Sequence, residues 1–131
     1  MTKHIYAGMY MYAHTGEKNM KILETSKILS DGNALKIIAA TQKRPCTAQE
    51  LSTDLGTPLA GTYKKIKELE LSGLIAPLDR KLTSYGKRVT RYTSLVRGFY
   101  VEFYNNELRV TLEMDRTDAP VKLTWNPLLS S

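Results

Sequence analysis

One cysteine, Cys46, and two histidines, His4 and His14, stand among 131 residues. That scarcity removes several kinds of chemistry at the outset. A single thiol cannot close an intrachain disulfide or build a multi-cysteine zinc site. The two histidines lie near the N-terminus without a third ligand type at binding spacing, so no metal is expected. Cys46 follows Pro45 with only Lys43 and Arg44 nearby to favour a thiolate, and it reads as a small structural residue rather than a redox switch. No apolar run approaches the ~20 residues that cross a bilayer. The apolar stretch Ile5–Ala13 is short, Tyr-rich and lacks the basic cluster and cleavage region of a signal peptide. A cytoplasmic protein without a membrane partner is therefore expected. No Ser/His/Asp set, phosphate-cradling glycine loop or paired-carboxylate cleft is visible, so neither an enzyme nor a cofactor is expected.

What is present is an ordinary globular mixture, 42% hydrophobic and 24% charged, which excludes a wholly disordered chain. The length suits one domain with modest extensions. The net charge of +6 is unevenly spread. Residues 74–97 hold Arg80, Lys81, Lys87, Arg88, Arg91 and Arg97 against Asp79 alone, whereas acidic side chains outnumber basic ones after residue 98. A clustered basic stripe concentrates potential where a polyanion docks. On its own it is equally compatible with a solvated surface.

Four segments emerge along the chain. Residues 1–24 form an N-terminal extension in which Met20–Leu23 is compatible with a short strand, and residues 25–97 form the main domain. Thr25–Leu29 suits a helical turn or two. Asp31 is an N-cap candidate, and Leu35, Ile38 and Ala39, with Ile37 beside them, recur at helical spacing, so residues 32–42 read as a first helix. Lys43-Arg44-Pro45 ends it. Thr47-Ala48-Gln49-Glu50 is a capping box that opens a second helix over 48–55, and Gly56 stops it. Thr57-Pro58 restarts a third helix, with a capping hydroxyl followed by proline at the first helical position, running to about Ser72. Two helices separated by such a stop and restart are the signature of a helix-turn-helix. Leu74–Leu78 then begins a strand, Thr83–Lys87 turns, and Val89–Ser94 returns. A basic β-hairpin behind the third helix constitutes a wing.

Residues 98–114 read as a second hairpin with Asn105-Asn106 as its two-residue turn. That register sets Phe103 opposite Leu108, Val101 opposite Val110 and Phe99 opposite Leu112 on an apolar face. Glu102 opposes Arg109 and Tyr100 opposes Thr111 on the other. An isolated hairpin is marginal in water. Its apolar face must therefore cover its own domain or a second subunit, and the second subunit, a dimer contact, is favoured. The tail 115–131 has no clear periodicity, and Trp125 either anchors it or belongs to a frayed end. The fold class expected is α+β: a winged helix-turn-helix with a three-helix core, a β-wing and an additional C-terminal hairpin.

The run TAQELSTDLGTPLAGTYKKIKELELSGLI, Thr47–Ile75, with LSDGNALKII at Leu29–Ile38, resembles the winged helix-turn-helix of ArsR-like regulators, particularly archaeal ones. The resemblance covers roughly residues 25–97. It implies a homodimeric transcriptional regulator that binds double-stranded DNA. The paired cysteines or clustered His and carboxylate ligands of metal-sensing members are missing here.

The third helix should turn Leu59, Thr62, Ile66 and Leu69 inward. Its opposite side offers Ala60, Gly61, Lys64 and Glu68, with Lys65 and Lys67 flanking. The residues expected to touch DNA are Thr57, Pro58, Ala60, Gly61, Tyr63, Lys64 and Lys65 on this recognition helix. Tyr63 suits either packing or phosphate contact. Thr47 at the start of the second helix joins them. On the wing the set is Arg80, Lys81, Lys87, Arg88 and Arg91, with the tip residues Lys87 and Arg88 foremost. A helix face poor in Asn, Gln and Arg points to modest base readout and strong phosphate contact. Neutralising ~6 phosphates would give a log–log salt slope of about −5. The competing expectation is a winged helix that serves as a protein–protein or RNA interaction module in a larger complex.

Overall fold

Local signals in the sequence set the helix boundaries. The computed structural model describes residues 17–115 and 119–129; His4, His14 and Ile5–Ala13 lie outside them. The helices are α1 (Glu17–Leu29), α2 (Gly32–Lys43), α3 (Ala48–Leu55) and α4 (Leu59–Leu71). The strands are β1 (Cys46–Thr47), β2 (Ile75–Leu82), β3 (Arg88–Ser94), β4 (Val96–Tyr104), β5 (Glu107–Met114) and β6 (Val121–Trp125). They form two compact units, Asp31–Leu95 on the one hand and α1 with the strands from Val96 onward on the other.

In the first unit Asp31 caps α2 by accepting from the Asn33 amide. Ala34, Ile37, Ile38 and Thr41 form the buried face of α2. Leu35 and Ala39, whose spacing helped to mark the helix, are exposed. The apolar stripe runs one position away from the one the spacing suggested, because Ala34 and Thr41 are small enough to pack although neither is strongly apolar. Thr41 satisfies its hydroxyl on the Ile37 carbonyl at 2.7 Å. Ala48 and Leu51 from α3, with Thr62, Ile66 and Leu69 from α4, complete the helical core. Ile75 of β2 and the flanking residues Leu74 and Leu95 are buried as well. The sheet order is β1-β3-β2, antiparallel, with Cys46 opposite Tyr92 and a bulge in β2 between Pro77 and Asp79. Three helices, the turn between α3 and α4, and the β2–β3 hairpin make a winged helix-turn-helix. Cys46 is buried, and burial, the largest influence on it, pushes its thiol pKa up.

The second unit departs from expectation in two places. Met20–Leu23 is not a strand but lies inside α1, where Ile22, Thr25 and Leu29 make a buried stripe at helical spacing. The tail contains a further strand, β6, which pairs with β5 and sets Leu123 opposite Val110 and Trp125 opposite Leu108. The hairpin itself has the anticipated register throughout: Phe103 opposite Leu108, Val101 opposite Val110, Phe99 opposite Leu112, Glu102 opposite Arg109 and Tyr100 opposite Thr111. Asn105 and Asn106 both adopt positive φ, 51° and 64°, as the favoured two-residue turn requires. Helix α1 packs on β5 and β6, which buries Val110, Leu112, Met114, Val121 and Leu123. Half of the hairpin's apolar face is thus covered by its own chain. The other half is open, with Val101 43% and Phe103 64% exposed.

Leu112→Ala should cost about 2–5 kcal/mol through a cavity that the sheet cannot close, read as a lower urea midpoint at unchanged m-value. Asn106→Val, which forces a β-branched residue to positive φ, should destabilise by about 1–2 kcal/mol, while Asn106→Gly in the same assay should leave stability equal or higher. Cys46 should resist a thiol reagent in the native protein and react only as fast as the domain unfolds.

Candidate nucleic-acid interface

The direction of α4 is fixed by the hydrogen bonds around its start. The Thr47 hydroxyl accepts from the Glu50 amide at 3.1 Å while the Glu50 carboxylate accepts from the Thr47 amide at 2.9 Å, which closes the capping box of α3. Gly56 ends α3 in the left-handed region at φ 67°, where an alanine would be strained although nothing lies within 4 Å of the added carbon. The Ser52 hydroxyl then donates to the Thr57 carbonyl at 2.5 Å, and the Thr57 and Thr62 hydroxyls meet at 2.7 Å. Pro58 is the N-cap of α4 rather than its first helical residue, and no side chain caps this end. The Thr57 hydroxyl, expected to cap, reaches Thr62 one turn further on instead.

On α4 the outer side presents Pro58, Ala60, Gly61 and Lys64, all exposed. Nothing lies within 4 Å of the position a Cβ would take on Gly61. Tyr63 is 51% exposed. Leu59 departs from the inward face and is 38% exposed, lining a groove between α4, the start of α3 and the wing. Lys65 is held internally: its ammonium lies 2.5 Å from Asp31 Oδ2 and 3.1 Å from Glu68 Oε1. Its pKa is raised, first by the Asp31 contact and also by Glu68. Thr47 is buried in its capping box.

The wing's cations divide in the same way. Arg91 forms a two-point bridge to Asp79, 2.7 and 2.5 Å, and this contact, the largest influence, holds the Asp79 carboxyl below the ordinary range. Lys81 lies 3.6 Å from Glu50. Arg80, Lys87 and Arg88, with Lys64 on α4, make no ion pair among the described residues. Arg80, Lys87 and Arg88, but not Lys64, line the groove, which has a volume of about 640 Å³ and takes Gln49, Leu59, Tyr63, Thr83, Tyr85 and Tyr92 into its lining as well, together with the paired Glu50 and Lys81. Gln49, Leu59 and Tyr85 had no place in the sequence-based set. Gln49 could have been found as an exposed amide in the first turn of α3, whereas Tyr85 carried no signal beyond its position in a turn.

The arrangement offers an anion three groove cations without carboxylate partners among the described residues, hydroxyls on the groove walls, and an adjacent helix side with Lys64 beside the small residues Ala60 and Gly61. Among the described residues no group of three or more His, Cys, Asp or Glu side chains could hold a metal ion, and no helix is long and apolar enough to cross a membrane.

Acid should loosen the unit that carries this groove. Asp31 has a lowered pKa chiefly through Lys65, and Glu50 chiefly through the Thr47 amide. A carboxyl whose folded pKa lies below its unfolded value stabilises above the unfolded pKa, and that stability is lost as pH falls through the folded one. Urea midpoints should therefore drop below about pH 4, and the drop should be shallower in Asp31→Asn and in Glu50→Gln.

No characterised protein gives a significant match to the chain. Residues 29–77, from the end of α1 through the start of the wing, match the model of a helix-turn-helix domain.

Proposed function

We propose that the chain is a sequence-specific, double-stranded DNA-binding transcriptional regulator of the ArsR-like kind. Helix α4 enters the major groove and the wing holds the adjacent backbone and minor groove. The observation that carries this reading is that Arg80, Lys87 and Arg88, without carboxylate partners among the described residues, line the groove beside α4, whose outer side carries the exposed Lys64. Ala60 and Gly61 let the helix backbone approach the groove floor, and the helix start at Pro58 adds partial positive charge. Thr57 acts by holding that start in place. Lys65, Lys81 and Arg91 contribute less than their formal charges because Asp31, Glu50 and Asp79 neutralise them. Protein–DNA affinity of this type is dominated by phosphate neutralisation and released counterions.

Titration of a fluorescent random duplex at rising salt tests the proposal. Binding with a steep slope is expected, and indifference to duplex at physiological salt would remove it. Lys87→Ala combined with Arg88→Ala should weaken all duplexes and flatten the slope by about 2 units. Lys65→Ala should leave the slope unchanged while lowering stability. Gly61→Ala separates fold from function: it should stabilise the free protein by up to ~1 kcal/mol, as alanine does within helices, yet weaken specific binding by adding bulk at the groove floor.

The active form in this reading is a homodimer joined through the open half of the second sheet, where Val101 and Phe103 are exposed on the edge strand β4. An exposed apolar edge strand is a template for pairing. Light scattering should give twice the chain mass, and Val101→Lys with Phe103→Glu should give a monomer that remains folded. A parent protein that is monomeric at micromolar concentration would rule this arrangement out.

A further inference from the structure

The most exposed large apolar or aromatic side chain among the described residues is Tyr85, 90% accessible in the turn at the tip of the wing. It does not sit on a loose loop. The Thr83 amide donates to the Lys87 carbonyl at 2.7 Å and the Gly86 amide to the Thr83 carbonyl at 3.0 Å. The Thr83 hydroxyl accepts from two further amides, those of Tyr85 at 3.3 Å and Lys87 at 3.1 Å. Gly86 supplies the left-handed residue, φ 81°, that closes the turn. Four hydrogen bonds therefore hold a five-residue tip whose one aromatic ring is left almost wholly to water. Holding such a ring in water is unfavourable by the hydrophobic effect, so the tip is organised for a contact outside the chain.

The groove defines what that contact meets. Tyr85 forms part of its rim on the wing side, and Leu59 and Tyr63 of α4 form the other. A nucleic-acid backbone lying between them, against Arg80, Lys87 and Arg88, has the major groove on one flank and the minor groove on the other. With α4 on the major-groove flank, the tip lies on the minor-groove flank. There A·T pairs present only the acceptors adenine N3 and thymine O2, while G·C pairs add the guanine N2 amine. A phenol fits the first environment and not the second. Its ring packs between the sugar walls and its hydroxyl donates to N3 or O2, whereas the amine occupies the space the ring needs and offers another donor.

We infer that Tyr85 is a specificity-determining residue that makes the wing prefer A·T pairs through minor-groove contact. The inference rests on the DNA-binding reading above, and the test keeps the two apart. A duplex selected from a random pool by the full chain is varied one base pair at a time to A·T, G·C or I·C. Inosine keeps guanine's major-groove acceptors but lacks the N2 amine. A window of positions is expected at which I·C binds like A·T and G·C binds about fivefold or more weakly. In Tyr85→Ala the window should disappear. In Tyr85→Phe, which keeps the ring and loses the hydroxyl, the discrimination should shrink but persist. The salt slope should be the same in all three proteins, because no charge changes, and folding should be unaffected at so exposed a site. A window that survives in Tyr85→Ala, or its absence from a protein that binds the selected duplex, would overturn the inference. Failure to bind any duplex would instead sink the DNA-binding reading itself.

Discussion

The hydrogen-bonded break between α3 and α4 is the constraint on which the first unit depends. Ser52, Thr57 and Thr62 form a short chain of hydroxyl contacts across it, and Gly56 supplies the one backbone conformation that a side chain would oppose. This junction decides which residues of α4 are inward. Thr62 is buried because its hydroxyl has partners on both Thr57 and the Pro58 carbonyl, so a polar side chain enters the core without leaving an unmet hydrogen bond. The opposite side, with Ala60, Gly61 and Lys64, is outward as a consequence. At Ala60 and Gly61 no large side chain intervenes, and the helix backbone is left accessible there.

Charge is the second organising element, and its distribution in space differs from its distribution along the chain. The stretch 74–97 looks uniformly basic in sequence, yet Arg91 is held by the one acid in that stretch and Lys81 by a carboxylate from α3. Exposed pairs of this sort add little stability, but they remove two cations from the available field. Within residues 74–95 the positive character that remains lies at the tip and on the strand beside it. A patch narrowed in this way gives a directional potential rather than a diffuse one.

Much of the fold was legible in the residues. The capping box, the stop at Gly56 and the Asn105-Asn106 turn are local chemistry, and each sits where its sequence placed it. The register of β4 and β5 was legible because both faces had to agree at once. The exceptions are tertiary. Met20–Leu23 is helical because Ile22, Thr25 and Leu29 find β5 and β6 across ninety residues of chain, a partnership no short window shows. Strand β6 was obscured by its brevity and by Lys122 and Thr124 on its outer side. In the site, the cations of the wing were legible, whereas which of them are cancelled was not: Lys65 and Asp31 are distant in sequence and meet only when α2 and α4 pack. Leu59 was read as core from periodicity, and it lines the groove because the helix begins there and its first turn lies beyond the packed interior.

Glu50 joins features that otherwise look independent. One carboxylate secures the first turn of α3 through the Thr47 amide, and the same group lies within 3.7 Å of Arg44 and 3.6 Å of Lys81. A single proton placed there would fray the start of a helix and unmask Lys81 in one event, while Arg44 keeps its contact with Asp54. The integrity of the scaffold and the field it projects are therefore set by the same titrating group, with opposite signs: a looser α3 accompanies a more positive surface.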